Sequence, residues 1–170
     1  MKPLLVVLLL LPLFAPAQDS TGAPVCKLIR ETDPYTKETK LSSGFVGLDG
    51  ASVTIDADSK EIIVLFSVEG TEKCFDNNST ADIFFEGIKS KMTARNAGTM
   101  NCEGLFQFVF KNSRNTPPTL LQRMCTKKIT QIIFTGNSKK PFTVNAGPVE
   151  QITLMTLANC VVTEGRALIK

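Results

Sequence analysis

Beyond its first seventeen residues, the chain carries apolar side chains in short alternating stretches separated by turn formers, the pattern of β-strands. Phe45-Val46 and Val53-Thr54-Ile55 flank Asp49-Gly50, whose glycine tolerates the positive φ of a tight hairpin. Glu61 to Val68 is apolar at consecutive positions from Ile62 to Phe66, which predicts a central strand covered on both faces. Leu105 to Phe110 alternates cleanly, with Phe106, Phe108 and Phe110 on one face and Gln107 on the other. Ile129 to Thr135, stopped by Gly136-Asn137, and Phe142 to Val144, stopped by Asn145-Ala146-Gly147-Pro148, predict two further strands; Gln151 to Val162 predicts a last and longest one. Two segments read as helical. Over Thr80 to Arg95, Phe84, Ile88 and Met92 recur at helical spacing behind Thr80 and Asp82, although Gly87 disfavours a helix by about 1 kcal/mol and a strand is the alternative. Thr116-Pro117 supplies a cap and a first-turn proline for a short helix through Leu121, Met124 and Cys125. The expected fold is mainly β: a single antiparallel β-sandwich or barrel domain with one or two short helices. Residues 45–170 form that β-rich globular domain, and residues 18–44, polar apart from Val25 to Ile29, are expected to be a poorly ordered N-terminal arm.

The first seventeen residues follow a different pattern. A positive start at Met1-Lys2, an almost unbroken apolar run from Leu4 to Phe14 and the A-x-A sequence Ala15-Pro16-Ala17 have the order of a secretory signal peptide cleaved after Ala17. A spanning helix needs about 20 apolar residues, and this run is shorter. The 153 residues that remain suit one domain with a real core. Eighteen basic residues then face sixteen acidic ones, a net charge of +2, too weak and too scattered to suggest a nucleic-acid surface. The expected product is secreted and extracellular, with no membrane anchor and no nucleic-acid partner.

Export changes the meaning of the five cysteines, Cys26, Cys74, Cys102, Cys125 and Cys160. None is spaced as in a C-x-x-C motif or a zinc site, so disulfides are expected. Because five is odd, one thiol is left over, and about 15 arrangements are open. The remaining thiol is either buried, as expected for Cys160 between Leu157 and Val161-Val162, or joins a second chain in a disulfide-linked dimer. Asn77-Asn78-Ser79-Thr80 holds two overlapping N-x-[ST] glycosylation sequons, at Asn77 and Asn78, which predicts an exposed loop.

The chain has no histidine, which excludes histidine-dependent triads, His-ligated zinc and an imidazole base. The acids Asp56, Asp58, Glu61 and Glu86 fall where solvated carboxylates are ordinary, so paired-carboxylate catalysis is disfavoured. Asp56-x-Asp58-x-Lys60 resembles the start of a calcium loop but lacks its glycine and distal glutamate, and reads better as a polar turn. No catalytic residue, metal or cofactor is expected, and the protein is read as non-enzymatic. Phe66, Phe84, Phe85, Phe106, Phe108, Phe110, Phe134 and Phe142 fill a core or line a cavity. The function that follows is a secreted, disulfide-stabilised binding or effector protein whose partner is another extracellular molecule. One alternative is a lipocalin-like carrier of a small apolar ligand. Export, size, β-content and a Cys74–Cys160 pairing are compatible with it, whereas Ser43-Gly44-Phe45 departs from the lipocalin Gly-x-Trp signature. The other alternative is an extracellular matrix, venom or secretion component.

Overall fold

The structure is a computed structural model describing residues 26–70, 73–138 and 140–169; the expected signal peptide and its expected cleavage after Ala17 lie outside them. In chain order the elements are β1 (Ile29–Thr32), β2 (Thr39–Ser42), β3 (Val46–Leu48), β4 (Ala51–Ala57), β5 (Glu61–Val68), β6 (Thr80–Phe85), β7 (Met92–Arg95), β8 (Leu105–Lys111), α1 (Thr119–Thr126), β9 (Ile129–Thr135), β10 (Pro141–Asn145) and α2 (Pro148–Arg166). The strands form two antiparallel sheets. The larger has the order β1-β2-β4-β5-β8, with β3 also paired to β4; the smaller has the order β10-β9-β6-β7. The two pack as a sandwich and do not close into a barrel.

The β3–β4 hairpin forms as its sequence predicts, with Gly50 at φ +83° in the turn. β5 is central, between β4 and β8. Its even-numbered residues Ile62, Val64, Phe66 and Val68 are buried opposite Ala57, Ile55, Val53 and Ala51 of β4. Phe110, Phe108 and Phe106 of β8 extend the same face. Against it lie Ala81, Ile83 and Phe85 of β6 and Ile132 and Phe134 of β9. Phe134 is fully buried where the sheets meet, its ring 5.0 Å from Phe106 and 5.4 Å from Phe66 in edge-on contacts.

Three elements differ from the expectation. Residues 80–95 are a hairpin, not a helix: Ala81, Ile83 and Phe85 alternate inward, and the chain reverses at Gly87, φ +74°. Residues 151–162 belong to α2, not to a strand. Pro148 starts this helix, Glu150 stands in its first turn and Arg166 in its last, in keeping with the helix dipole. Leu154, Ala158, Val161, Val162 and Gly165 form its buried stripe. At 19 residues α2 is longer than the short helices expected; α1, with eight, forms where a short helix was expected through Leu121, Met124 and Cys125, but it starts at Thr119 behind Pro118 with no side-chain cap, so Thr116 is not its cap nor Pro117 in its first turn. Finally, residues 29–42, inside the span expected to be a poorly ordered arm, form the β1–β2 hairpin and extend the larger sheet through Leu41 and Ser42.

Helix α2 packs on the β4 side of the same buried face. A Cβ on Gly165 would stand 3.0 Å from the Cβ of Ala57, so only glycine allows this approach without displacement. Buried Asn112 ties the layers together: its Nδ2 donates to the carbonyls of Asp58 (2.7 Å) and Gly165 (2.8 Å).

Candidate binding surface

Because side chains alternate along a strand, packing one face of the larger sheet leaves the other to face outward. Ile63, Leu65, Leu105 and Val109 point to that side and stay outside the core. The face of β5 expected to be covered is therefore only half-buried. One transverse row crosses five strands: Ile29, Ser42, Asp56, Ile63 and Val109 stand opposite one another in register. Ile29 is 54% exposed, and its Cδ1 lies 3.7 Å from where a Cβ would stand on Gly44, next to the 79% exposed Phe45.

At one end of this face a groove of about 360 Å³ opens between β1, β2, β4 and the start of β5. Ile29 and Ile63 give it apolar side chains, and Glu31, Asp56, Asp58 and Glu61 line it together with Lys40. Asp56 is in the middle of the transverse row, on β4. Thr54 Oγ1 donates to its Oδ2 at 2.9 Å, while its Oδ1 is buried without a protein donor. An unsatisfied buried acceptor of this kind costs about 1–3 kcal/mol. Asp58 is committed to the β4–β5 turn, its Oδ1 accepting from the backbone N–H of Lys60 (2.7 Å) and Glu61 (2.8 Å). The resemblance of this stretch to a calcium loop is thus a polar turn. Among the described residues no three acidic, cysteine or histidine side chains converge to hold a metal ion.

The structure separates the acids singled out in the sequence. Asp56, Asp58 and Glu61 share the groove, whereas Glu86 lies in the β6–β7 turn and pairs with Lys128 at 3.3 Å. Ile29, Glu31, Lys40 and Ser42 were missed as surface partners, because they lie in the span read as an arm. Their only signal was the alternation Ile29, Glu31 and Lys40, Ser42 within two short polar stretches.

No protein family, curated protein or solved structure matches the chain. The surface is therefore read from its own chemistry.

The cysteines pair as Cys26–Cys160 and Cys74–Cys102. Cys160, expected to be buried and one of five disulfide candidates, anchors the start of the larger sheet to α2, and the Cys74–Cys160 pairing does not form. Cys125, on α1, carries the free thiol and is half-buried. Burial pushes its pKa up to about 11, with the Arg166 charge pulling weakly the other way. Asn77 and Asn78 are exposed in a turn, as the sequons predict. Ser79 of that turn is buried and donates through Oγ to Asp76 Oδ1 at 3.0 Å. Partial desolvation of Asp76 acts upward, but hydrogen bonds from Ser79 and Asn78 outweigh it and hold the carboxyl below its usual range. A second, smaller recess of about 140 Å³ lies beside Cys74, where Lys73 Nζ sits 4.0 Å above the Phe142 ring. Of the eight phenylalanines singled out in the sequence, Phe66, Phe85, Phe106, Phe108 and Phe134 are buried in the core, Phe110 and Phe142 pack against it, and Phe84 is half-buried outside it. No helix among the described residues is long and apolar enough to cross a membrane.

Proposed function

We propose that this protein is a secreted, non-enzymatic binding module that engages another extracellular protein through the outward face of its larger sheet. The observation that carries the reading is the outward row from exposed Ile29 through half-buried Ile63 to exposed Val109, with a groove at its β1 end lined by Ile29, Ile63 and polar groups. Apolar surface left outside the core of a folded domain is a feature of recognition surfaces. The hydrophobic leader and two intramolecular disulfides favour action in an oxidising, extracellular setting.

Photo-crosslinking tests the assignment. The photoreactive residue p-benzoylphenylalanine is placed at Leu65, on the proposed surface, or at exposed Thr143, on the outer face of the smaller sheet. Each protein is irradiated in the extracellular fluid of its source. The reading expects a discrete protein adduct from position 65 only, competed by excess unlabelled protein but not by its Ile63→Glu variant. Equal adducts from both positions, or none from position 65, would overturn it.

A further inference from the structure

We infer that the protein carries one N-linked glycan, attached at Asn78 and not at the overlapping sequon of Asn77; this rests on the reading of the chain as exported. Glycosyl transfer to a sequon needs the hydroxyl two residues beyond the asparagine as well as the asparagine amide. The fold treats the two hydroxyls differently. Ser79, which completes the Asn77 sequon, is 3% exposed, and its Oγ accepts from the Asp76 backbone N–H at 2.9 Å and donates to Asp76 Oδ1 at 3.0 Å. The same carboxyl oxygen accepts from the backbone N–H groups of Asn78 and Ser79, each at 2.9 Å. These bonds join residues only two or three apart, so the turn closes without help from the sheets and takes the Ser79 hydroxyl out of use. Thr80, which completes the Asn78 sequon, stands outside that turn. It is half-buried at the start of β6, on the side of the strand where Asp82 and Phe84 also stay out of the core.

The folded molecule accommodates the sugar. Asn77 and Asn78 are both exposed, and their adjacency leaves room for one bulky chain only. The turn is pinned by buried Asn96, whose Nδ2 donates to the Asp76 carbonyl at 3.0 Å and whose backbone N–H donates to the Ser79 carbonyl at 2.9 Å. Phe75, just before the turn, exchanges backbone hydrogen bonds with Asn101. Asn101 Nδ2 in turn donates to the carbonyl of Leu105, which pairs with Ser67 near the end of β5 remote from Glu61. The glycan therefore stands at the end of the sandwich away from the groove and leaves the groove uncovered. In the transfer, Asn78 Nδ2 bonds to the anomeric carbon of a lipid diphosphate-linked oligosaccharide. The anomeric C–O bond breaks, the lipid diphosphate leaves with the electron pair, and Nδ2 gives up one proton.

The test is site mapping on the protein purified from the extracellular fluid of its source. Peptide N-glycosidase in H₂¹⁸O removes the glycan and leaves an ¹⁸O-labelled aspartate where it was attached, which peptide mass spectrometry locates against an enzyme-free control. The label is expected at Asn78 about tenfold more often than at Asn77. Variants of the full chain, secreted from eukaryotic cells in culture, read the same choice as a glycosidase-sensitive gel shift. Asn77→Gln and Ser79→Ala are each expected to keep the shift; Asn77→Gln, at an exposed position, keeps that arm decisive if Ser79→Ala fails to fold. Asn78→Gln and Thr80→Ala are each expected to lose it, although both leave the Asn77 sequon whole. Label at Asn77 as often as at Asn78, or a shift that persists in both Asn78→Gln and Thr80→Ala, overturns the choice of site. Extracellular protein with no label at either asparagine overturns the glycan while leaving export standing. A chain found only inside cells with its leader intact overturns the export reading and the inference with it.

Discussion

Reaction of the native protein with an aromatic disulfide reagent at pH 8 tests the setting of Cys125, the one thiol outside the two bridges. Only thiolate attacks a disulfide. With the pKa moved from its ordinary 9.0 to about 11, the thiolate fraction at pH 8 falls about a hundredfold. A more basic thiolate is also a better nucleophile, and a Brønsted coefficient near 0.45 returns about eightfold over that shift. The net expectation is a rate about tenfold below that of the same residue in the denatured chain, before any obstruction by α2. Raising the pH from 8 to 10 should increase the native rate nearly a hundredfold, while the denatured rate levels off above pH 9. The assay follows release of the coloured thiolate with and without guanidinium chloride, one equivalent per chain in each case. A native rate equal to the denatured one at pH 8 would refute the argument. The same shift has a consequence for stability. The folded state holds the proton more tightly than the unfolded chain, so this contribution is fully present below pH 9 and is lost as pH rises from 9 towards 11. Cys125→Ala should therefore show a shallower loss of stability over that window than the parent protein.

Two further predictions concern stability. In the chain-entropy description, Cys26–Cys160 spans 134 residues and contributes about 5 kcal/mol, and Cys74–Cys102 spans 28 and contributes about 3.6 kcal/mol. Replacing each pair by alanine and comparing urea midpoints should give the larger loss for the first, and the reverse order would contradict the loop-length argument. Asn112→Ala should cost about 1–3 kcal/mol: it leaves the Asp58 carbonyl without its donor, while the Gly165 carbonyl keeps the Leu168 N–H at 3.0 Å. A urea-unfolding loss below about 0.5 kcal/mol would mean that water takes over the Asp58 carbonyl.

Much of the sandwich was legible where a local rule and the tertiary structure agree. Asp49-Gly50 supplies the turn that β3 and β4 need, and the phenylalanines of β8 alternate because one face is buried. The misreadings arose where two periods competed. In residues 80–95, Phe84, Ile88 and Met92 match a helix, but Ala81, Ile83 and Phe85 match a strand, and pairing with β9 selects the second. In α2, the valines, isoleucine and threonines suggest extended backbone, yet its buried positions recur at helical spacing and Pro148, Glu150 and Arg166 mark its ends. Strands β1 and β2 were hidden for another reason. β1 is exposed throughout, so its side chains carry little burial signal; its place comes from hydrogen bonds to β2 and from the nearby Cys26–Cys160 bridge. The groove was illegible for the same reason, since half of it belongs to those two strands.

The bridge between Cys26 and Cys160 also bears on how the protein meets proteases. It makes the chain from residue 26 to residue 160 a covalent ring, so a single cut at any peptide bond inside that span breaks the backbone without releasing a fragment. The exposed turns at Asn77-Asn78 and Glu86-Gly87 lie inside the ring, and a molecule nicked at either stays in one piece until its disulfides are reduced.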